Sequence, residues 1–168
     1  MATPTTLPAT FVAGNVLEAA ELNNLRGAFR VLQVVSTLKN DPQTVTSTSF
    51  VDITGLSVSV TPSSTTSKIL VLATVFLSNG ANTSFVNLVR DSTAIAQPSA
   101  GTSPATTITS SSMANNSSVM FLDSPATTSA TTYKLQIRVN TGTGYVNRSS
   151  FDVQQTAVSS ITVFEVSA

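Results

Sequence analysis

Ile69-Leu70-Val71-Leu72-Ala73-Thr74-Val75-Phe76-Leu77 is a nine-residue apolar run interrupted only by Thr74. Its Val and Ile content disfavours a helix, because β-branched side chains lose rotamer freedom there, and its length suits a strand. Successive strand side chains point to opposite faces, so Ile69, Val71, Ala73, Val75 and Leu77 share one side, and Leu70, Leu72 and Phe76 the other. Both sides are apolar, so both require a cover. The expected covers are an opposing sheet and a neighbouring subunit, which makes Ile69, Val71, Ala73, Val75 and Leu77 candidates for core or trimer contact.

Short β-rich runs also occupy residues 31–38, 50–53, 56–60, 85–90, 119–122, 133–139 and 161–166. Tyr133, Leu135, Ile137 and Val139 alternate with Lys134, Gln136 and Arg138, as in an antiparallel strand with one wet face. Lys39-Asn40-Asp41-Pro42, Thr61-Pro62-Ser63-Ser64-Thr65-Thr66 and Asn140-Thr141-Gly142-Thr143-Gly144 read as turns or loops, and Thr54-Gly55 breaks a run. Residues 97–116, rich in Ser, Thr, Pro and Ala, hold the longest expected loop. Short strands at about 8–12-residue spacing, with no helices between them, predict a mainly β fold, an antiparallel β-sandwich of jelly-roll type.

Residues 1–30 differ in kind. Asn15 and Glu18 form a capping box, and Ala19, Leu22, Leu25 and Phe29 follow at helical spacing among Glu18, Glu21, Asn23, Asn24 and Arg26. One short N-terminal helix of about four turns is predicted. Alone in water it is marginal, so it must pack on its own β domain, on symmetry mates or on another protein. The chain thus divides into an arm and helix, 1–30, and a β head, 31–168. Phe11, Val16, Leu17, Leu22, Leu25 and Phe29 are the candidates for attachment or oligomerisation.

The chain of 168 residues has no His, Cys or Trp, and only eight basic and eight acidic residues among 52 Ser and Thr. This removes the side chains most used for proton transfer, thiol chemistry and zinc ligation near neutral pH. A Ser-His-Asp or Cys-His constellation cannot be built, and no cofactor, metal or catalytic residue is expected. Zero net charge offers no long-range field for nucleic acid. The apolar runs are too short to cross a bilayer. The first ten residues carry neither a basic start nor an apolar run, so no secretion signal is expected. Weak charge also leaves self-association little opposed.

The carboxylates Glu18, Glu21, Asp41, Asp52, Asp91, Asp123 and Asp152 fall at caps, turns and strand ends rather than in a cluster. Glu165, inside Ile161-Thr162-Val163-Phe164-Glu165-Val166, is read as the solvent-facing position of an alternating strand. Gly142-Thr143-Gly144 lacks the third glycine and the helix of a nucleotide loop, and reads as a hairpin turn. Asn-x-Ser/Thr triplets begin at Asn82, Asn115, Asn116 and Asn147, as chance provides in so polar a chain. Tyr145, beside the glycine turn, is the aromatic expected to be exposed.

Thr10-Phe11-Val12-Ala13-Gly14-Asn15-Val16-Leu17-Glu18-Ala19-Ala20-Glu21-Leu22-Asn23 resembles a segment common near the N-terminus of bacteriophage tail-fibre and minor virion proteins. Residues 46–62, Thr46-Ser47-Thr48-Ser49-Phe50-Val51-Asp52-Ile53-Thr54-Gly55-Leu56-Ser57-Val58-Ser59-Val60-Thr61-Pro62, continuing through Ser67-Lys68-Ile69-Leu70-Val71, resemble the opening of a β domain at the ends of such fibres. Residues 161–166 are similar to its closing strand. The resemblance implies a homotrimer of jelly-roll-like heads, carries no transferable catalytic motif, and places the chain in a phage particle assembled in the host cytoplasm.

On that resemblance the chain is expected to be a short trimeric tail fibre, docked to tail or baseplate by residues 1–30. Its head would contact a host-surface glycan or protein, with Ser103, Thr106, Asn115, Asn116 and Tyr145 as candidate receptor contacts. The chain has no long repeats between helix and head, so a capsid decoration (cement) protein is the alternative. A polysaccharide depolymerase ranks behind both for want of acid–base groups. Neither nucleic-acid binding nor membrane insertion is expected.

Overall fold

The computed structural model describes residues 31–80, 83–101, 104–109 and 113–167. The expected helix, with Phe11, Val16, Leu17, Leu22, Leu25 and Phe29, lies outside the described residues, as does Ser103. The described chain forms β1 (Val31–Lys39), β2 (Gln43–Val45), β3 (Val51–Val60), β4 (Lys68–Asn79), β5 (Ser84–Arg90) and β6 (Thr93–Ile95). It continues with β7 (Thr107–Thr109), β8 (Met113–Asp123), β9 (Thr131–Val139), β10 (Gly144–Val146) and β11 (Ser159–Val166). No helix occurs among the described residues.

All pairings are antiparallel and make two sheets. In sheet A, β4 is central. β8 runs along one of its sides, and β11 and β10 share the other end to end, flanked in turn by β1 and β2. In sheet B the order is β3, β9, β5, with β6 and β7 sharing the outer side of β5. With each end-to-end pair counted as one strand, the sheets read β1/β2, β10/β11, β4, β8 and β3, β9, β5, β6/β7. Apart from the step from β5 to β6/β7, which stays in sheet B, the chain alternates between them as in a jelly roll. The sandwich expectation therefore holds.

The core lies between the sheets. From β4 it takes Ile69, Val71, Ala73, Val75 and Leu77, from β9 Tyr133, Leu135 and Ile137, and from β3 Ile53, Leu56, Val58 and Val60. The β9 residues alternate with half-buried Lys134, Gln136 and Arg138, as the sequence pattern requires. At one end a polar tie joins the sheets. The Arg90 Nη1 donates to both Asp123 carboxylate oxygens at 2.9 Å, and the buried Tyr133 hydroxyl donates to Oδ2 at 2.7 Å. Burial, then the Asp123 hydrogen bond, push the Tyr133 phenol far above its ordinary pKa.

Three expectations are corrected. Residues 51–60 form one strand, not two: a bulge between Asp52 and Ser57 absorbs Thr54-Gly55, with Gly55 at φ +78°. The stretch 97–116 is no continuous loop, because it contains β7 and the start of β8. Gly142-Thr143-Gly144 makes no hairpin. It carries the chain from β9 in sheet B to β10 in sheet A, and a Cβ on Gly144 would lie 2.7 Å from Val139 Cγ1.

Candidate functional site

The β4 residues expected in the core or at a trimer contact turn inward. Ile69, Val71, Ala73, Val75 and Leu77 are all buried in the core. The other side of the strand is the one left uncovered. Strand register builds that outer face of sheet A row by row. Val34, Phe164, Leu70 and Leu122 stand side by side across β1, β11, β4 and β8. Ser36, Thr162, Leu72 and Met120 form the next row, and Leu38, Ser160, Thr74 and Ser118 a third.

None of these twelve positions is charged. Val34, Leu38, Met120 and Leu122 are 53–77% exposed, and Leu72 is 36% exposed. Hydroxyls in the centre are partly satisfied within the face, as in the 2.8 Å contact of Ser36 Oγ with Thr162 Oγ1. A shallow depression of about 350 Å³ lies over Leu72, Thr74, Ser118, Met120, Ser160, Thr162 and Phe164. Four strands at about 4.8 Å spacing and five residues at about 3.3 Å give a face of roughly 300 Å². That is the size of the largest apolar patch on a typical monomer, which is often functional.

The candidate receptor contacts fare differently. Thr106 is a tie, not a free loop residue: its Oγ1 accepts from Leu88 N–H at 2.9 Å and from Gln97 Nε2 at 3.1 Å. Asn115 and Asn116 lie in β8 rather than in a loop, paired with Leu77 and Phe76. Tyr145 belongs to β10 and is half-buried, with the Arg148 guanidinium 4.2 Å from its ring centre. Asn147 is buried and donates to the Lys39 and Asp41 carbonyls, so its glycosylation triplet is spent on structure.

Glu165 overturns the solvent-facing expectation. It is buried, and its Oε1 accepts from the Ser63 N–H at 2.7 Å and the Ser63 hydroxyl at 2.6 Å. Oε2 accepts from Gln33 Nε2 at 2.6 Å. Burial acts to raise its pKa, but hydrogen bonds from Ser63, Gln33 and Ser67 prevail and bring it down to about 2. A carboxylate held below its unfolded value of 4.5 stabilises the fold above that pH and loses the contribution as pH falls towards 2. Asp41, hydrogen-bonded by Lys39, and Asp52, hydrogen-bonded by Lys134 and Gln136, are lowered as well and share the acid side.

In Glu165→Gln the new amide would face Gln33 Nε2 donor to donor. Flipping Gln33 would only aim its oxygen at the Thr61 carbonyl it now donates to. The substitution is expected to cost roughly 1–3 kcal/mol at pH 7. It should also flatten the urea midpoint between pH 4.5 and pH 2.5. An unchanged midpoint and acid slope would remove Glu165 from the account of stability.

Among the described residues, no three carboxylate, His or Cys groups are gathered to hold a metal ion. No helix there is long and apolar enough to cross a membrane. Compared with known proteins, the chain matches no family model, and no curated protein matches its sequence. Its fold is similar to a chain in the "Structure of infectious bursal disease virus Gx strain", with TM-score 0.41 and 11% identity, over 79% of this chain and 37% of that one. This chain therefore spans little more than a third of that protein's length. A likeness at that level leaves function to the residues described above.

Proposed function

We propose that this chain is a structural subunit of a bacteriophage virion that assembles as a homotrimer through the outer face of sheet A. The most specific form of the proposal is a short tail fibre, docked by residues 1–30 and presenting its β head to the host surface. The observation that carries it is the row of Val34, Phe164, Leu70 and Leu122 with Leu72, Met120 and Leu38, an uncharged apolar face on an otherwise hydroxyl-rich molecule.

A second copy fits this face better than an unrelated partner does. The face offers no charge to complement, so like meets like without penalty. Three copies turned towards a common axis would each cover their neighbours. The three rows alone cover about 300 Å², short of the roughly 800 Å² per partner of a stable interface, so a trimer must also bury surface beside them. Val31 and Leu32 at the start of β1, and Val158 just before β11, are exposed as well. The likeness of residues 10–23, 46–62 with 67–71, and 161–166 to tail-fibre and minor virion proteins supports the phage setting.

Gold-labelled antibody against the head tests the placement. Label on tail tips is expected. Label on the shell would favour the decoration protein instead, and an unlabelled particle would sink both. For the arm, Leu22→Asp with Leu25→Asp is expected to reduce incorporation into particles at least tenfold while the head melts as before. Normal incorporation would mean that the arm does not dock.

A further inference from the structure

The opposite face of the sandwich carries an unpaired guanidinium. On β9, Arg138 stacks with its Cζ 3.8 Å from the Phe85 ring centre and 5.3 Å from that of Phe50. The other ion-pair cations are committed: Lys39 to Asp41, Arg90 to Asp123, Lys134 to Asp52. Among the described residues no carboxylate pairs with Arg138, and its N–H groups have no hydrogen-bond acceptor. The stack fixes the plane of the fork and leaves its edge open.

That edge borders a cleft of about 730 Å³ lined by Thr48, Ser49, Phe50, Asn87, Ala94, Gln97, Pro104 and Arg138, within the range of small-ligand sites. Gln97 and Pro104 form one wall, and Gln97 is held in place by its hydrogen bonds. The Gln97 Nε2 donates to Asn87 Oδ1, the Ile95 carbonyl and Thr106 Oγ1 at 3.1–3.2 Å. With its donors engaged, Gln97 presents its carbonyl oxygen. Asn87, accepting through its oxygen, presents its amide nitrogen. Ala96, next to Gln97, is held at φ +54°, a conformation that non-glycine residues adopt at a cost and that clusters at binding sites.

We infer that this cleft binds an acidic sugar, with Arg138 gripping the carboxylate of a uronic or sialic acid residue. This inference deepens the host-contact reading and rests on it. A planar fork matches a carboxylate in two parallel hydrogen bonds. Asn87, Gln97, Thr48 and Ser49 line the cleft with polar groups that suit sugar hydroxyls, and the Phe50 ring supplies an apolar wall. One guanidinium with no second cation suits a monoanion, and zero net charge would not attract a polyanion. The cleft opens from sheet B, so assembly through sheet A leaves it accessible. Three clefts per particle component would multiply a weak single-site affinity.

The test uses the full chain on an array of oligosaccharides ending in glucuronic, galacturonic or sialic acid, beside their carboxyl-reduced neutral counterparts. At least one acidic sugar should be retained tenfold or more above its neutral partner. Arg138→Met keeps apolar contact with both phenyl rings and should abolish that preference, with the melting temperature unchanged. Arg138→Lys should weaken binding at least tenfold by losing the fork. Equal retention of acidic and neutral sugars, or retention unaffected by Arg138→Met, would overturn the inference, as would inorganic phosphate displacing the sugar at equal concentration. Binding of the chain to intact host cells without any acid preference would sink this site alone. Loss of cell binding altogether would sink the host-contact reading beneath it.

Discussion

Asp123→Ala is expected to lower the unfolding free energy by about 3 kcal/mol. Asp123 closes β8 in sheet A, while Arg90 and Tyr133 are register partners on β5 and β9 in sheet B. The carboxylate receives three hydrogen bonds from the opposite sheet, in a site where it and the Tyr133 ring are buried. Its removal leaves a buried phenol and a partly buried guanidinium without an acceptor. That penalty exceeds the loss of the bonds themselves, because neither donor regains full hydration. The Arg90 side chain is still about a quarter exposed, which places the effect at the lower end of the range for broken buried pairs. Tyr133→Phe keeps the ring packing and should cost about 1 kcal/mol. Urea unfolding followed by circular dichroism reads both. An Asp123→Ala loss below that of Tyr133→Phe would mean that the tie does not clamp the sheets.

If the proposed trimer closes over the outer face of sheet A, Leu72→Glu with Met120→Glu should leave the chain monomeric with the sandwich folded. The two positions are direct cross-strand neighbours on β4 and β8 in the middle of the outer face. In an isolated subunit both carboxylates meet water, and their mutual repulsion costs only about 0.5 kcal/mol. In a trimer closed over this face they would be desolvated without a cation, at several kcal/mol per charge. Since about 1.4 kcal/mol is a factor of ten, dissociation should rise by three orders of magnitude or more. A double variant that still sediments as a trimer would place the interface elsewhere.

The sandwich was legible in the chain because its long strands obey simple parity. Ile69, Val71, Ala73, Val75 and Leu77 had to face one way, and Tyr133, Leu135, Ile137 and Val139 likewise. Sequence could not decide which side of β4 would meet the opposing sheet, since Leu70, Leu72 and Phe76 are equally apolar. Strands β2, β6, β7 and β10, of three residues each, are too short for any periodicity to register. The first half of β8, with Asn115, Asn116, Ser117 and Ser118, was hidden by polar residues that β4 recruits through a long register. Glu165 looked solvent-facing because its partners, Ser63 and Gln33, lie 102 and 132 residues away in sequence. Arg138 looked like one more wet position of an alternating strand. Only the arrival of Phe85 from β5 and of Phe50 ahead of β3 turns it into a fixed fork.

The central claim is that the three uncharged rows on the outer face of sheet A are sealed by other copies of the same chain. Sedimentation equilibrium of the full chain at micromolar concentration measures this directly. The account predicts a single species of three times 17.4 kDa that persists on dilution. A folded species of 17.4 kDa across the same range would contradict it.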